Sequence, residues 1–520
     1  MSFSKVYSAQ TNLLNVTPVS VETDITRNTL FAFAIVGLPD KAVEEARDRM
    51  SAAVKNSGFS SPKGNNHKLV ISLAPGDIRK EGTHFDVATA LSYLLANQEV
   101  KFDPEGKLFL GELSLDGRIR PIRGVLPVAK FAKEKGWKEL YVPEENAPEA
   151  ALIEGISVFG IPNLKNLVEH LVGTRKSTPS PTTRIQNKAH ILSTDFADVR
   201  GQERAKRGLL IASAGGHNVA MYGPPGTGKT MLAKAFAGIL PPLTFDEALE
   251  ATGIHSVAGT LSDTMITNPP FRSPHHTASY VSLVGGGATP RPGEITLAHH
   301  GVLFMDEFPE FDRRVIESLR QPLEDKVIAV ARAKGTAHFP ANVLLVAAMN
   351  PCPCGNYGFR GKPCICSPGA LQRYRRKMSG PIMDRIDIWV EVDRIAPHEL
   401  SIAGSLEQVH ALEGDESKIF RKKVEQARRI QTKRFQNQPA NRSVSKNGEM
   451  GAKELVLYVH LDKEAERLLN LSAERMGFSP RVYHRMIKVA RTIADLDGSE
   501  MVLPSHILEA VEYRPKKFDI

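Results

Sequence analysis

The chain has 520 residues, 42% of them hydrophobic and 24% charged, with a formal net charge of +9. That length implies about two to four domains, and the composition is that of a globular protein rather than a disordered or fibrous one. The longest apolar runs, such as 343–349, fall far short of the ~20 residues a membrane-spanning helix needs, and residues 1–14 lack the basic stretch and apolar core of a secretory signal, so the expected compartment is the cytoplasm.

Residues 1–173 alternate strand-like runs, at 31–36, 68–73 and 108–110, with helical patterns. Within 40–58, Val43, Ala46, Met50, Ala53 and Val54 recur at helical spacing and Gly58 closes the helix; 86–98 reads as a second helix. The stretch 174–194 is different. It contains Lys176-Ser-Thr-Pro-Ser-Pro-Thr-Thr-Arg184, polar, Pro-rich and aperiodic, the signature of a linker.

The second block, 195–397, carries the chemistry. Gly223-Pro-Pro-Gly-Thr-Gly-Lys-Thr230 fits G-x-x-x-x-G-K-[ST] between an apolar strand-like run, 219–222, and a helix, 231–239. Its glycines let backbone N–H groups turn toward phosphate oxygens, and the following helix N-terminus adds positive field. Gly223, Pro224, Pro225, Gly226, Thr227, Gly228, Lys229 and Thr230 are therefore the candidate ATP loop. Lys229 is expected to neutralise the β- and γ-phosphates, and Thr230 to ligate Mg²⁺. Residues 301–307 form an apolar strand ending in two acids, at the rim of a parallel sheet. Asp306 is the expected Mg²⁺-side carboxylate, and Glu307 the base that orients and deprotonates the attacking water. A further strand, 343–348, leads to Asn350, whose amide either bonds the γ-phosphate or the water, or caps a turn before Pro351.

Between these strands lie His275-His276 and the glycine loop 285–287. Neighbouring side chains of an extended segment point opposite ways, which argues against a metal shared by the two histidines. The runs 327–330 and 336–339 flank Ala331-Arg-Ala-Lys-Gly335 and read as a hairpin with a basic turn. All four cysteines, Cys352, Cys354, Cys364 and Cys366, fall within 352–366. Two close pairs across a short loop suit a tetrahedral, structural zinc site; reduced thiols are the alternative, since a disulfide framework would spread its cysteines along the chain. The cluster is expected to brace the loop between Asn350 and Arg385.

The third block, 398–520, is helical in pattern and basic. Arg421-Lys-Lys423, Arg428-Arg429 and Lys433-Arg434 either track a phosphate backbone or form a solvated face. Residues 464–471, 481–496 and 505–513 read as helices.

Longer motifs add a family resemblance. Residues 195–397 resemble AAA+ ATPases of the magnesium-chelatase-like subgroup, and almost the whole chain resembles the ComM/YifB family. The match is carried by Phe271-Arg-Ser-Pro-His-His-Thr277, Gly285-Gly-Gly287 with Pro290-Arg-Pro-Gly-Glu294, Asn350-Pro-Cys-Pro-Cys-Gly355, Ser379-Gly-Pro-Ile-Met-Asp-Arg-Ile-Asp387 and Val489-Ala-Arg-Thr-Ile-Ala-Asp-Leu496. The resemblance implies an α/β fold: an AAA+ P-loop core with a parallel sheet, and a helical lid over 398–520. It implies ATP and Mg²⁺ as cofactors, a homo-hexameric ring, and single-stranded or branched DNA as partner. The implied activity is that of a motor, a helicase or translocase, promoting branch migration in homologous recombination during natural transformation. A protein-remodelling or chelatase-type ATPase acting on a protein partner is the alternative.

Residue roles follow from the same resemblance. Asn350 stands at the first sensor position. Arg385 matches the arginine finger that a neighbouring subunit supplies, with Arg373, Arg375 and Arg376 as rivals. Arg481 matches the second sensor, with Arg485 as its rival. The hairpin before the sensor strand corresponds to a strand-gripping element, which makes Arg332 and Lys334 the candidate DNA-phosphate contacts. Residues 1–173 resemble the α+β, S5 domain 2-like fold of the Lon protease domain, which also occurs without protease activity in the branch-migration motor RadA. Lys80-Glu-Gly-Thr-His-Phe-Asp86 and Gly111-Glu-Leu-Ser-Leu-Asp-Gly-Arg-Ile-Arg-Pro-Ile-Arg-Gly124 carry that likeness. The catalytic serine and lysine positions are His84 and Leu126 here, so no peptidase activity is expected. Arg118, Arg120 and Arg123 offer either a basic strip or a solvated face.

Overall fold

The computed structural model describes residues 3–12, 14–64, 66–183, 194–287, 291–332, 335–359, 362–378, 380–395, 416–436 and 444–514. The chain forms two compact units, Met1–Asn187 with Ala248–Ile266, and Lys188–Glu247 with Thr267–Ile520.

The first unit is built on a four-stranded sheet. Phe3–Asn12 and Asn15–Arg27 pair antiparallel from Phe3↔Asp24 to Asn12↔Asn15, His67–Ala74 lies beside the second, and Ala32–Val36 runs parallel to it at the edge. Val19, Val21, Thr23 and Ile25 are buried, with Ser20, Glu22 and Asp24 between them facing away, the period of two that a half-buried strand requires. Helix Lys41–Asn56 begins at Asp40, whose carboxylate accepts the Val43 N–H at 2.8 Å, and turns Val43, Ala46, Met50, Ala53 and Val54 inward. Helix Asp86–Ala96 is buried along almost its whole length. A second, parallel sheet joins Lys107–Phe109, Glu139–Pro143 and Ser157–Ile161. Of the two residues that the resemblance aligns with a catalytic serine and lysine, Leu126 is in the core, and burial pushes His84 down to about 4, an imidazole kept neutral.

The second unit holds a five-stranded parallel sheet in the order Phe271–Arg272, Val302–Met305, Leu344–Met349, Val219–Tyr222, Ile388–Glu391. Val219–Tyr222 and Val302–Met305 are buried throughout, the apolar composition expected of strands covered on both faces. Helices Glu203–Gly215 and Lys229–Ile239 cover the central strands. The hairpin pairs Val327–Arg332 with Gly335–Pro340. The C-terminal part consists of helices Glu416–Phe435, Ala452–Tyr458, Lys463–Met476, Pro480–Leu496 and Pro504–Glu512. Helix Pro480–Leu496 is locked to its neighbours by Asp495. That buried carboxylate accepts from Arg434 (Nη1, 2.9 Å), Arg491 (Nη2, 2.8 Å) and Asn447 (Nδ2, 2.7 Å). No helix among the described residues is long and apolar enough to cross a membrane.

Candidate nucleotide site

The loop 223–230 follows the central strand Val219–Tyr222 and opens helix Lys229–Ile239, at the C-terminal edge of the sheet. Gly228 has φ +90°, a left-handed backbone that a side chain would strain, and this lets the chain turn from loop into helix. Lys229 is buried, and its Nζ donates to Gly223 O (2.8 Å), Pro224 O (2.8 Å) and Asn350 Oδ1 (3.2 Å). Burial pushes its pKa down to about 8, against the opposing attraction of Asp306. Thr230 Oγ1 donates to Asp306 Oδ2 at 2.8 Å. The strands thus bring Lys229, Thr230, Asp306 and Asn350 into one connected set. A lysine facing the loop's own carbonyls, beside a hydroxyl and a carboxylate in contact, is a donor set for a polyphosphate and a hard cation.

Glu307 follows directly. Its φ of 52° is left-handed, and its N–H turns back to donate to Asp306 Oδ1 at 2.9 Å. His276 reaches its carboxylate, Nδ1 to Oε2 3.1 Å. The sequence reading did not foresee this. Residues around His276 form a turn, with Ala278 N–H donating to His275 O, so the two histidine rings lie side by side with centroids 4.2 Å apart instead of alternating as in a strand. The turn is carried on Arg272, fixed by a two-pronged pair with Glu294 (2.6 and 2.8 Å).

The cysteines follow Asn350. Cys352 Sγ lies 3.4 Å from Cys354 Sγ and 3.7 Å from Cys364 Sγ, Cys354 to Cys364 is 3.6 Å, and all four sulfurs fall within 4.8 Å of one another. A tetrahedron of Zn–S bonds of about 2.3 Å places its sulfurs roughly 3.8 Å apart, so the thiols fit zinc. Gly355, with φ +79°, closes the knuckle against the phosphate loop, where a Cβ would collide with the ring of Pro225.

Arg385 and Arg481 lie elsewhere. Arg385 precedes strand Ile388–Glu391, and its carbonyl accepts from Asn218, which precedes strand Val219–Tyr222. This is the N-terminal edge of the sheet, separated from the phosphate loop by four residues of strand, about 13 Å. Glu324 holds both arginines there, at 2.5 Å from Arg385 Nη2 and 3.5 Å from Arg481 Nη2. Arg485 pairs with Asp387 at 3.3 Å, and Asp387 also faces His217 at 3.4 Å. The adjoining cavity, about 470 Å³, is lined by six cations, Lys326, Arg385, Arg428, Lys446, Arg485 and Lys488, and four carboxylates, Glu247, Glu324, Asp387 and Glu449. Burial, and then the nearby Arg428 charge, push Lys446 down to about 8 against the attraction of Glu449 and Glu247.

Lys334 and the side chain of Arg332 lie outside the described residues. In the basic helix Glu416–Phe435, Arg421 donates to Gly238 O, Arg428 to Ser213 O and Arg434 to Asp495, leaving Lys422, Lys423, Arg429 and Lys433 on the exposed side. In the first unit Arg118 pairs with Asp116 at 2.6 Å and Arg120 with Glu112 at 3.4 Å.

Three family models match: magnesium chelatase, subunit ChlI, over residues 195–400; subunit ChlI of Mg-chelatase over 21–146; and its C-terminal part over 414–514. The chain is 38% identical to competence protein ComM of Haemophilus influenzae, across 99% of this chain and 98% of that protein. It is 39% identical to YifB of Escherichia coli, across 99% and 97%. A more remote likeness, 25% over 340 residues, covers 62% of this chain and 37% of the DNA replication licensing factor Mcm6 of Drosophila melanogaster. With full-length identity of this order, a parallel sheet in P-loop arrangement and the phosphate-binding set at its C-terminal edge, the chain belongs to the ComM/YifB family of magnesium-chelatase-like AAA+ ATPases.

Proposed function

We propose that this protein is the subunit of a cytoplasmic, homo-hexameric ATP-driven DNA motor that promotes branch migration of recombination intermediates during natural transformation. The observation that carries it is the convergence of Lys229, Thr230, Asp306, Glu307 and Asn350 at one edge of the sheet. Similarity to a competence protein along the whole chain, and more remotely to a DNA replication licensing factor, supports DNA as the substrate.

In this reading ATP with Mg²⁺ supplies the phosphoanhydride that is cleaved. Lys229 exchanges the loop carbonyls for phosphate oxygens, and Thr230 and Asp306 hold the cation. Glu307 takes the proton of the attacking water, and Asn350 orients the γ-phosphate or that water. Arg385 and Arg481 stand beyond a guanidinium's reach of their own phosphate loop, so we assign both to the γ-phosphate of a neighbouring copy. The excess of cations around the adjoining cavity supports that assignment. The four cysteines are assigned to one structural zinc ion, and Arg332 and Lys334 to the DNA backbone. Residues 1–173 are assigned to a non-proteolytic Lon-like module, 195–397 to the ATPase core and 398–520 to the lid.

The test is ATP turnover by the purified protein, alone and with single-stranded or four-way-junction DNA, beside Glu307→Gln. DNA-stimulated turnover lost in that variant is the expected result. Turnover indifferent to DNA would overturn the DNA motor. It would favour a remodelling ATPase with a protein partner, the reading to which the three magnesium-chelatase matches also point.

A further inference from the structure

Glu324 stands where two parts of the molecule meet. It is the penultimate residue of the short helix Arg320–Asp325, two residues before Lys326, which leads into the hairpin strand Val327–Arg332. Helix and hairpin are tied together. Gln321 Oε1 accepts the Ala329 N–H at 3.1 Å, and Lys326 O accepts the Ala341 N–H at 2.7 Å from the far side of the hairpin. The Glu324 side chain, 45% exposed, faces Arg385, only 8% exposed, at 2.5 Å and Arg481 at 3.5 Å. The hydrogen bond from Arg385, and then the charges of both arginines, hold its carboxyl below the ordinary range. Either arginine must leave Glu324 before it can serve a phosphate.

We infer that Glu324 is a latch: it holds Arg385 and Arg481 off the neighbouring copy's γ-phosphate, and it releases them when a nucleic-acid strand shifts the hairpin to which it is joined. The inference rests on the assignment of the two arginines to a neighbour's nucleotide. Glu324 is a positioning residue and touches no substrate. The latch would make hydrolysis conditional on an engaged strand, because the helix that carries the carboxylate is hydrogen-bonded to the hairpin. Glu324 is half exposed but Arg385 is buried, so the restraint is reversible because the guanidinium exchanges the carboxylate for another anion, the phosphate.

The test is steady-state ATP turnover of the full chain with Glu324→Gln, Glu317→Gln and Arg385→Ala, each with and without single-stranded DNA. Glu317 pairs with Arg320 at 2.5 Å two turns from the latch and controls for loss of a nearby ion pair. The expected result is that Glu324→Gln raises kcat without DNA about threefold, leaves KM for ATP within about a factor of two, and brings the ratio of stimulated to basal rate toward one. Glu317→Gln should behave as the parent, and Arg385→Ala should lose turnover with and without DNA. A basal rate in Glu324→Gln equal to or below the parent, with Arg385→Ala inactive, would overturn the latch and leave the arginine assignment standing. Parent-like turnover in Arg385→Ala would overturn both.

Discussion

Lys229 shows how a side chain is placed to receive an anion. Its three hydrogen bonds go to two backbone carbonyls and an amide oxygen, partners a phosphate readily replaces. Burial lowers its pKa to about 8 in the free protein. Bound phosphate favours the charged form, so ATP affinity should be flat below about pH 7 and fall above about pH 8, approaching tenfold per pH unit, with net proton uptake on binding. Calorimetry in buffers of differing ionisation enthalpy measures both; constant affinity to about pH 9.5 would show that Lys229 stays protonated throughout. Glu307→Gln should lower kcat roughly 10²- to 10⁴-fold while ATP still binds, and retained turnover would remove Glu307 from the base role. The phosphate loop was legible in the sequence because it is contiguous and its function lies in the backbone. The pairing of His276 with Glu307 was not, because it joins two distant loops and depends on a turn that an assumption of extended chain conceals.

Elements show a similar division. Helices Lys41–Asn56, Asp86–Ala96 and Pro480–Leu496 stand close to where apolar spacing and caps put them. The long hairpin of Phe3–Asn12 and Asn15–Arg27 escaped notice. Its inward face mixes Ser4, Ser8 and Thr23 with Val6, Val19, Val21 and Ile25, which blurs the alternation, and its connection, Leu13-Leu14, carries none of the Asn-Gly chemistry that marks a tight turn. The basic helix Glu416–Phe435 read as one charged run, yet three of its arginines are committed internally, a distinction only packing makes. The cysteine knuckle was expected to brace the chain between Asn350 and Arg385, and it also contacts Pro225 through Gly355. Removing zinc with a chelator, or Gly355→Ala, should therefore weaken ATP binding before far-ultraviolet dichroism changes. Unfolding that precedes any loss of nucleotide affinity would confine the cluster to a general stabilising role. Asp495→Asn leaves Arg434 and Arg491 without a buried counter-charge and should cost about 3–5 kcal/mol of stability in the C-terminal helices. Urea denaturation of the full chain reads this, and a change within about 0.5 kcal/mol would show the network to be dispensable.

At the scale of the molecule, the phosphate loop and Arg385, which we assign to a neighbouring copy's nucleotide, lie on opposite edges of one sheet. Arg385→Ala and Glu307→Gln should each be inactive alone, yet an equimolar mixture should recover part of the parent rate. Sites between an intact Glu307 and an intact Arg385 reappear at random. No recovery, with the subunits shown to mix, would mean that Arg385 serves some other purpose. The separation has a geometric corollary. A contact that joins one edge to the opposite edge of the next copy is head-to-tail and has no two-fold axis, so a dimer leaves one half-site open at each end. Growth continues until the ends meet or a spiral forms. In such an assembly the subunit that closes a ring would complete two sites at once where every earlier one completed a single site, so turnover per subunit would step up on closure.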